Sequence, residues 1–304
     1  MIHKETSVGL NLLFCDKDSE LNKENLKDTD IIYIKEKPND AENFFYIPYK
    51  VTYKFDVPKT EGDYLNSLSK NKRKKIKKSL KKAKDDNIDF CFEFPLEKQH
   101  FFEWIDVYRE NINLKEKKEF HVDESWFDTN NERKGGIFAL KEGKIIGGIV
   151  FKKMPENDYF KERWSIGFSS TKKAFTILGI NELLNYYLIN HAIKKGIKLI
   201  LRGMDINIYG NHLSTGLYLF KKSLGFKTIP YPRKGFYYMK INSFRKFKNE
   251  LLFFSIKEKD LLIANMMSRN EIENPDDFKA GFLGGLNFYR IIDDNSFQEI
   301  KELS

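Results

Sequence analysis

Three residues able to move protons fall close together. Asp205, Tyr209 and His212 lie in the run Arg202-Gly203-Met204-Asp205-Ile206-Asn207-Ile208-Tyr209-Gly210-Asn211-His212. A carboxylate, a phenol and an imidazole are the groups that general acid–base chemistry on an amine uses. Asp205 would orient or deprotonate an ammonium, His212 would serve as base, and Tyr209 would donate a proton. The same residue types also serve in turns and caps, so their position in the fold decides between the two readings. A second feature is charge: ten of the fifteen residues from Lys70 to Lys84 are Lys or Arg, and none is acidic.

The elements around the loop can be read from the apolar pattern. Arg163 to Ser170 is a half-buried strand. A helix from about Asn181 to Lys195 carries Leu183, Leu184, Tyr187, Leu188 and Ala192 at helical spacing and stops at Gly196. Ile197 to Leu201 is a second, buried strand, from which the Asp205 loop departs. Gly216 to Leu224 is a short helix closed by Gly225-Phe226. A strand, a helix and a parallel strand form a crossover unit, and ligands bind where such strands end.

Upstream, Ile88 to Phe94 alternates as a strand that Pro95 stops, residues 96 to about 112 form an amphipathic helix, and 136–151 is a hairpin turning at Lys141-Glu142-Gly143-Lys144. The polar stretch from Lys115 to Arg133 is a place for an acceptor-binding loop. Residues 30–34, 44–49 and 51–57 read as strands, either a trimmed second lobe or an extension of the main sheet. The helical pattern from Asp63 to about Asp85 has a break that Ser69 would cap. Phe236 to Ile241 would close the main sheet. The tail would hold a helix around Phe247 to Phe254, then Asp277 to Gly281, then a strand from Leu286 to Ile292.

Composition narrows the function classes. With 304 residues, 41% of them hydrophobic and 15% aromatic, the chain is globular in type. The net charge of +9 falls to −1 without the ten cations of Lys70–Lys84, so the basicity belongs to one helix. Like charges repel along a helix, and a polyanionic partner would relieve them: tRNA, an acidic carrier protein, or the phosphates of coenzyme A. Lys70, Lys72, Arg73, Lys74, Lys77, Lys78 and Lys81 are the candidate contacts; the alternative is a solvated face. No aromatic residue interleaves them, so base stacking is not indicated. Cys15 and Cys91 lie in no metal or redox spacing, and no metal is expected. No apolar run approaches the roughly 18 residues of a membrane span, and the N-terminus lacks a secretory pattern, so a cytoplasmic location is expected. No Ser-His-Asp order or kinase loop occurs, which leaves hydrolase and phosphotransferase readings weak.

The phrase Leu219-Phe220-Lys221-Lys222-Ser223-Leu224-Gly225-Phe226 resembles the short helix followed by Gly-Phe that closes GNAT-superfamily acyltransferases. With Lys221 where a tyrosine is usual, it is most similar to the Fem-type, peptidoglycan-biosynthesis branch. Leu68-Ser69 with Arg73 and Ile76 is similar to the helix entry of that branch. The order strand, helix, hairpin, strand, helix, strand, helix, strand over residues 88–242 is also the GNAT order. The resemblance implies an α/β fold whose mixed central sheet has splayed parallel strands. It also implies three regions: a β-rich segment with the basic helix (1–87), an acyltransferase core (88–242) and a C-terminal extension (243–304).

The implied activity moves an acyl group from a thioester, acyl-CoA (acetyl-CoA first) or acyl carrier protein, to an amine on a small molecule, peptide or cell-wall precursor. Two alternatives stay open: transfer of an aminoacyl group from tRNA, and a non-catalytic module that binds RNA or a carrier protein. In the family, pantetheine lies along the first splayed strand and pyrophosphate at the next helix N-terminus. Here those positions are Ile166, Phe168, Ser169 and Ser170, then Lys172, Lys173, Gly179 and Ile180. The loop Thr171 to Ile180 has one glycine where the family usually has a double-glycine pattern. Lys221 corresponds to the family lysine that steadies donor phosphate or developing negative charge.

Overall fold

The structure, a computed structural model, describes residues 2–7, 9–114, 121–128, 131–210, 215–247, 250–256, 262–269, 286–293 and 296–300. The strands are β1 (His3–Ser7), β2 (Leu10–Cys15), β3 (Ile31–Ile34), β4 (Phe45–Pro48), β5 (Lys50–Asp56), β6 (Ile88–Glu93), β7 (Lys134–Lys141) and β8 (Lys144–Met154). They continue with β9 (Arg163–Thr171), β10 (Leu199–Ile206), β11 (Lys227–Pro230), β12 (Phe236–Ile241), β13 (Glu250–Ile256), β14 (Leu262–Ser268), β15 (Leu286–Ile291) and β16 (Phe297–Ile300). The α-helices are α1 (Lys23–Leu26), α2 (Glu61–Ser67), α3 (Lys70–Asp85), α4 (Lys98–Asn113), α5 (Ser125–Asp128), α6 (Ile180–Lys194) and α7 (Thr215–Ser223). The chain divides into two compact units. One comprises Met1–Thr52, Met204–Lys222 and Thr228–Ser304; the other comprises Tyr53–Gly203 with Ser223–Lys227.

The unit of Tyr53–Gly203 is built on a mixed sheet in the order β5-β10-β9-β8-β7-β6, with β11 flanking β5. Glu142 and Gly143 both take positive φ, as a tight turn between β7 and β8 requires. Successive side chains on β8 point to opposite faces. Val150 meets the α4 aromatics Phe101, Trp104 and Tyr108. Phe151, with Trp164 and Phe92, meets the other layer, where Phe92 stacks on His191 of α6 at 4.1 Å. Gly148 lets α4 come close: a Cβ there would lie 2.5 Å from Phe138 and 2.7 Å from Trp104. Ser69 caps α3 by accepting from the Lys72 amide at 3.2 Å, which accounts for the break before the basic helix.

The other unit carries two sheets, β1-β2-β3-β12-β4 and β13-β14-β15-β16. Phe14, Tyr33, Tyr49 and Tyr237 pack ring against ring on one side of the first sheet. Two expectations are corrected here. Phe236–Ile241 does not close the main sheet: β12 is antiparallel to both β3 and β4 in the five-stranded sheet. The expected helix at Phe247–Phe254 is instead strand β13, paired antiparallel with β14 from Glu250↔Ser268 to Ile256↔Leu262. Leu251 to Phe254 is a continuous apolar run, equally compatible with a strand buried on both faces, and pairing with β14 decides it. Asp277 to Gly281 lies outside the described residues. No helix among the described residues is long and apolar enough to cross a membrane.

Candidate active site

In the Tyr53–Gly203 unit, β9 and β10 are parallel, as the crossover pattern requires. Their ladder is short, running from Ile200↔Trp164 to Arg202↔Ile166. Strand β9 continues to Thr171, still paired with β8 as far as Gly147↔Thr171. The cause is local. Opposite β8, Val150 pairs with Phe168 and Phe151 with Ile166, so Gly167 is an extra residue. Such a bulge bends its strand and raises its twist, and it lies at the point where β10 stops following β9. The stretch Gly167–Thr171 is therefore a strand edge without β10 along it.

The residues lining that edge hold fixed positions. Phe168 packs edge-on against Tyr108 and Trp126. Ser170 donates its hydroxyl to Val107 O at 3.4 Å. Asn111 of α4 donates to Ser170 Oγ at 2.7 Å and to Thr171 O at 2.5 Å. Arg202, at the end of the paired ladder, donates to Ser169 Oγ at 3.0 Å and to Asn185 of α6. Neither Asn111 nor Arg202 was singled out from the sequence. An arginine interrupting the apolar run of β10 was the available signal; Asn111 carried none.

The segment expected to meet pyrophosphate is a 3₁₀ turn, Lys173–Leu178, and Gly179 follows at φ 75°. Lys172 is half-buried and Lys173 exposed, whereas Gly179 and Ile180 are buried. The basic helix α3 lies over them. A Cβ at residue 179 would come within 2.2 Å of Ser79 Oγ. Glu182, in the first turn of α6, pairs with Lys75 and, at 3.5 Å, with Lys72. Burial pushes the Glu182 carboxyl up, but the Lys75 hydrogen bond and the two lysine charges outweigh it and hold it below its ordinary range. Burial in turn lowers Lys72 against the pull of Glu182. Arg73 is also engaged, donating to the carbonyls of Leu65, Asn66 and Leu68 at 3.3, 3.2 and 2.9 Å. Of the seven cations expected to meet a polyanion, Lys70, Lys74, Lys77, Lys78 and Lys81 are the exposed ones.

In the other unit, three of the four expected catalytic side chains meet. Lys221 Nζ donates to Asp205 Oδ2 at 2.5 Å, and the Tyr209 hydroxyl donates to the same oxygen at 3.1 Å. The Lys221 side chain is 6% exposed and that of Asp205 12%, so the pair is sheltered from water. Asp205 Oδ1 has no hydrogen-bond partner among the described residues. Tyr209 is fixed by two backbone hydrogen bonds with Leu252 of β13, at 2.8 and 2.9 Å, and its ring lies 5.9 Å from that of Tyr218. Gly210 permits this approach, because a Cβ there would lie 2.0 Å from Glu250 O. The neighbouring Lys222 lies 5.8 Å over the Tyr218 ring, and burial lowers its ammonium to about 8. His212 lies outside the described residues.

Residues 98–226 match the model of the acetyltransferase (GNAT) family. No curated protein matches. Solved structures that resemble the chain include an aminoglycoside acetyltransferase from an uncultured soil metagenomic sample, at 17% identity and TM-score 0.34, over 40% of this chain and 80% of that one. L-PGS from Bacillus licheniformis matches at 17% identity and TM-score 0.43, over 78% and 79%. FemX matches at 10% identity and TM-score 0.46, over 78% and 82%. The parallel pair, the bulge and the crossover helix all lie inside residues 98–226, the segment that matches the GNAT acetyltransferase family, and on that match the protein is an acyltransferase.

Proposed function

We propose that the protein transfers an acyl group from a thioester donor, acyl-CoA or an acyl carrier protein, to an amine. The observation that carries this reading is the bulged edge Gly167–Thr171, along which β9 keeps β8 but has lost β10. An extended pantetheine arm pairs with such an edge as an added strand would. In the reaction the amine nitrogen attacks the thioester carbonyl, the C–S bond breaks, and the proton lost by the nitrogen is taken up by the departing thiolate. Asp205 offers Oδ1 to the acceptor ammonium, whose extra proton passes to solvent before the neutral amine attacks, and holds Lys221 through Oδ2. Lys221 has further N–H groups to direct at developing negative charge, and Tyr209 steadies the carboxylate.

A second reading replaces the thioester with aminoacyl-tRNA, and the start of α6 favours it. There Ser79 lies against Gly179, and Glu182 is an acid in the turn where pyrophosphate would bind. The exposed lysines of α3 suit a longer polyanion. Thermal unfolding with acetyl-CoA, alongside tRNA binding at two salt concentrations, tests the pair of readings. Protection by acetyl-CoA supports the first. Steeply salt-dependent tRNA binding without that protection supports the second. Neither response from a folded protein, with no acyl transfer from either donor, overturns both.

A further inference from the structure

We propose that Cys91, Glu93, Glu97 and His100 form a binding site for a divalent transition metal of the zinc class, tying the end of β6 to the start of α4. The site shares no residue with those assigned to acyl transfer and does not depend on that reading. Cys91 and Glu93 are two residues apart on β6 and so point to one side of the strand. Glu97 is the N-cap of α4, and His100 stands three residues later on the same helical face. The spacing spans a strand end, a turn and a helix start, so it matches no linear metal motif.

The geometry brings the ligand atoms together. Those of Glu93, Glu97 and His100 all lie within 4.8 Å of one another. Cys91 Sγ is 3.8 Å from Glu93 Oε1, the oxygen that also meets His100 Nδ1. Metal–ligand bonds of about 2.0–2.3 Å in a tetrahedral site separate the ligand atoms by roughly 3.3–3.8 Å; the three mutually close atoms stand near that spacing, and Cys91 Sγ, outside that group of three, has to turn toward it to complete the set. Glu93 Oε2 accepts from the Glu97 amide at 3.0 Å, an outer hydrogen bond that fixes how the carboxylate is presented.

Charge points the same way. The Glu93 side chain is 7% exposed. No lysine or arginine pairs with Glu93 or Glu97 among the described residues. The His100 imidazole is the described ion-pair partner of Glu93, and a sheltered carboxylate with a second one beside it leaves room for a further cation. A sulfur, an imidazole nitrogen and two carboxylates favour zinc, cobalt or a similar ion over calcium or magnesium. Glu97 is exposed and leaves a route of entry. On binding, the Cys91 thiol proton and any proton shared by His100 and Glu93 pass to solvent.

The test uses the full chain, stripped with a chelator and titrated with Co²⁺. One equivalent is expected to bind, with the visible bands of tetrahedral cobalt and a sulfur-to-cobalt charge-transfer band. Stoichiometric Zn²⁺ should displace it and raise the unfolding temperature. Cys91→Ala should lose the charge-transfer band, and His100→Ala and Glu97→Gln should each weaken uptake at least tenfold. Glu97 is exposed, so Glu97→Gln keeps the test valid should another variant fail to fold. Failure to bind cobalt, a spectrum without the sulfur band, or equal uptake by all variants would overturn the assignment.

Discussion

Replacing Lys221 with methionine separates a catalytic from a purely structural role for the Asp205–Lys221 pair. Methionine keeps much of the side-chain volume but removes the ammonium, leaving the Tyr209 hydroxyl, at 3.1 Å, as the remaining described partner of Asp205. With the two side chains 6% and 12% exposed, water does not restore what is lost. Breaking one side of a buried pair costs about 3–5 kcal/mol. The surviving charge-assisted hydrogen bond keeps the expected loss near the lower end, about 3 kcal/mol. Adding Asp205→Asn removes the stranded charge, so the double variant should lie within about 1 kcal/mol of the parent, recovering about 2 kcal/mol of the Lys221→Met loss. Urea unfolding measures this cycle. Acyl transfer should fall at least about a hundredfold in both single variants and in the double. A Lys221→Met protein as stable as the parent would show that the pair does not form. A double variant that regains turnover along with stability would reduce the pair to a structural element.

Three further outcomes follow from the same geometry. Gly179→Ala should destabilise by about 1–2 kcal/mol for an L-residue at φ 75°, plus about 1–3 kcal/mol for the contact with Ser79. Ser79→Ala should recover part of the second share, and an equal cost of Gly179→Ala in both backgrounds would mean that α3 does not cover the start of α6. Lys222 makes a pH prediction. Its ammonium falls from 10.5 to about 8 on folding. Below pH 8 both states are protonated and the folded one bears the burial penalty. Between about 8 and 10.5 the folded state sheds its proton first, so stability rises with pH across that window. Lys222→Met should flatten the rise, measured as urea midpoints at the two ends, and parallel curves would refute the assignment. Finally, changing Lys70, Lys74, Lys77, Lys78 and Lys81 together to Gln should leave the fold intact. It should reduce the salt slope of tRNA binding by about 3–4; an unchanged slope would remove α3 from any polyanion contact.

The chain order of elements from β6 to α7 was legible because each element carries its own periodicity. Alternation marks β6 and the β7–β8 hairpin, three- and four-residue spacing marks α4 and α6, and Gly196 ends α6 with positive φ. Ser69 capping α3 was legible for the same reason, since a cap is satisfied within one turn. What no local pattern contains is the choice of partner. Phe236–Ile241 reads as a strand wherever it pairs, and only tertiary structure sets it between β3 and β4. The apolar run of β13 suits a strand or a helix until β14 lies beside it. The basic helix reads as uniformly charged, yet Lys72 is buried against a glutamate more than a hundred residues later in the chain. Asp205, Tyr209 and Lys221 were nameable as chemical types, but their convergence on one carboxylate oxygen depends on α7 folding back over its own loop. Residue types and local periods belong to the sequence; sheet partners and charge pairing are long-range, and so only the folded chain decides them.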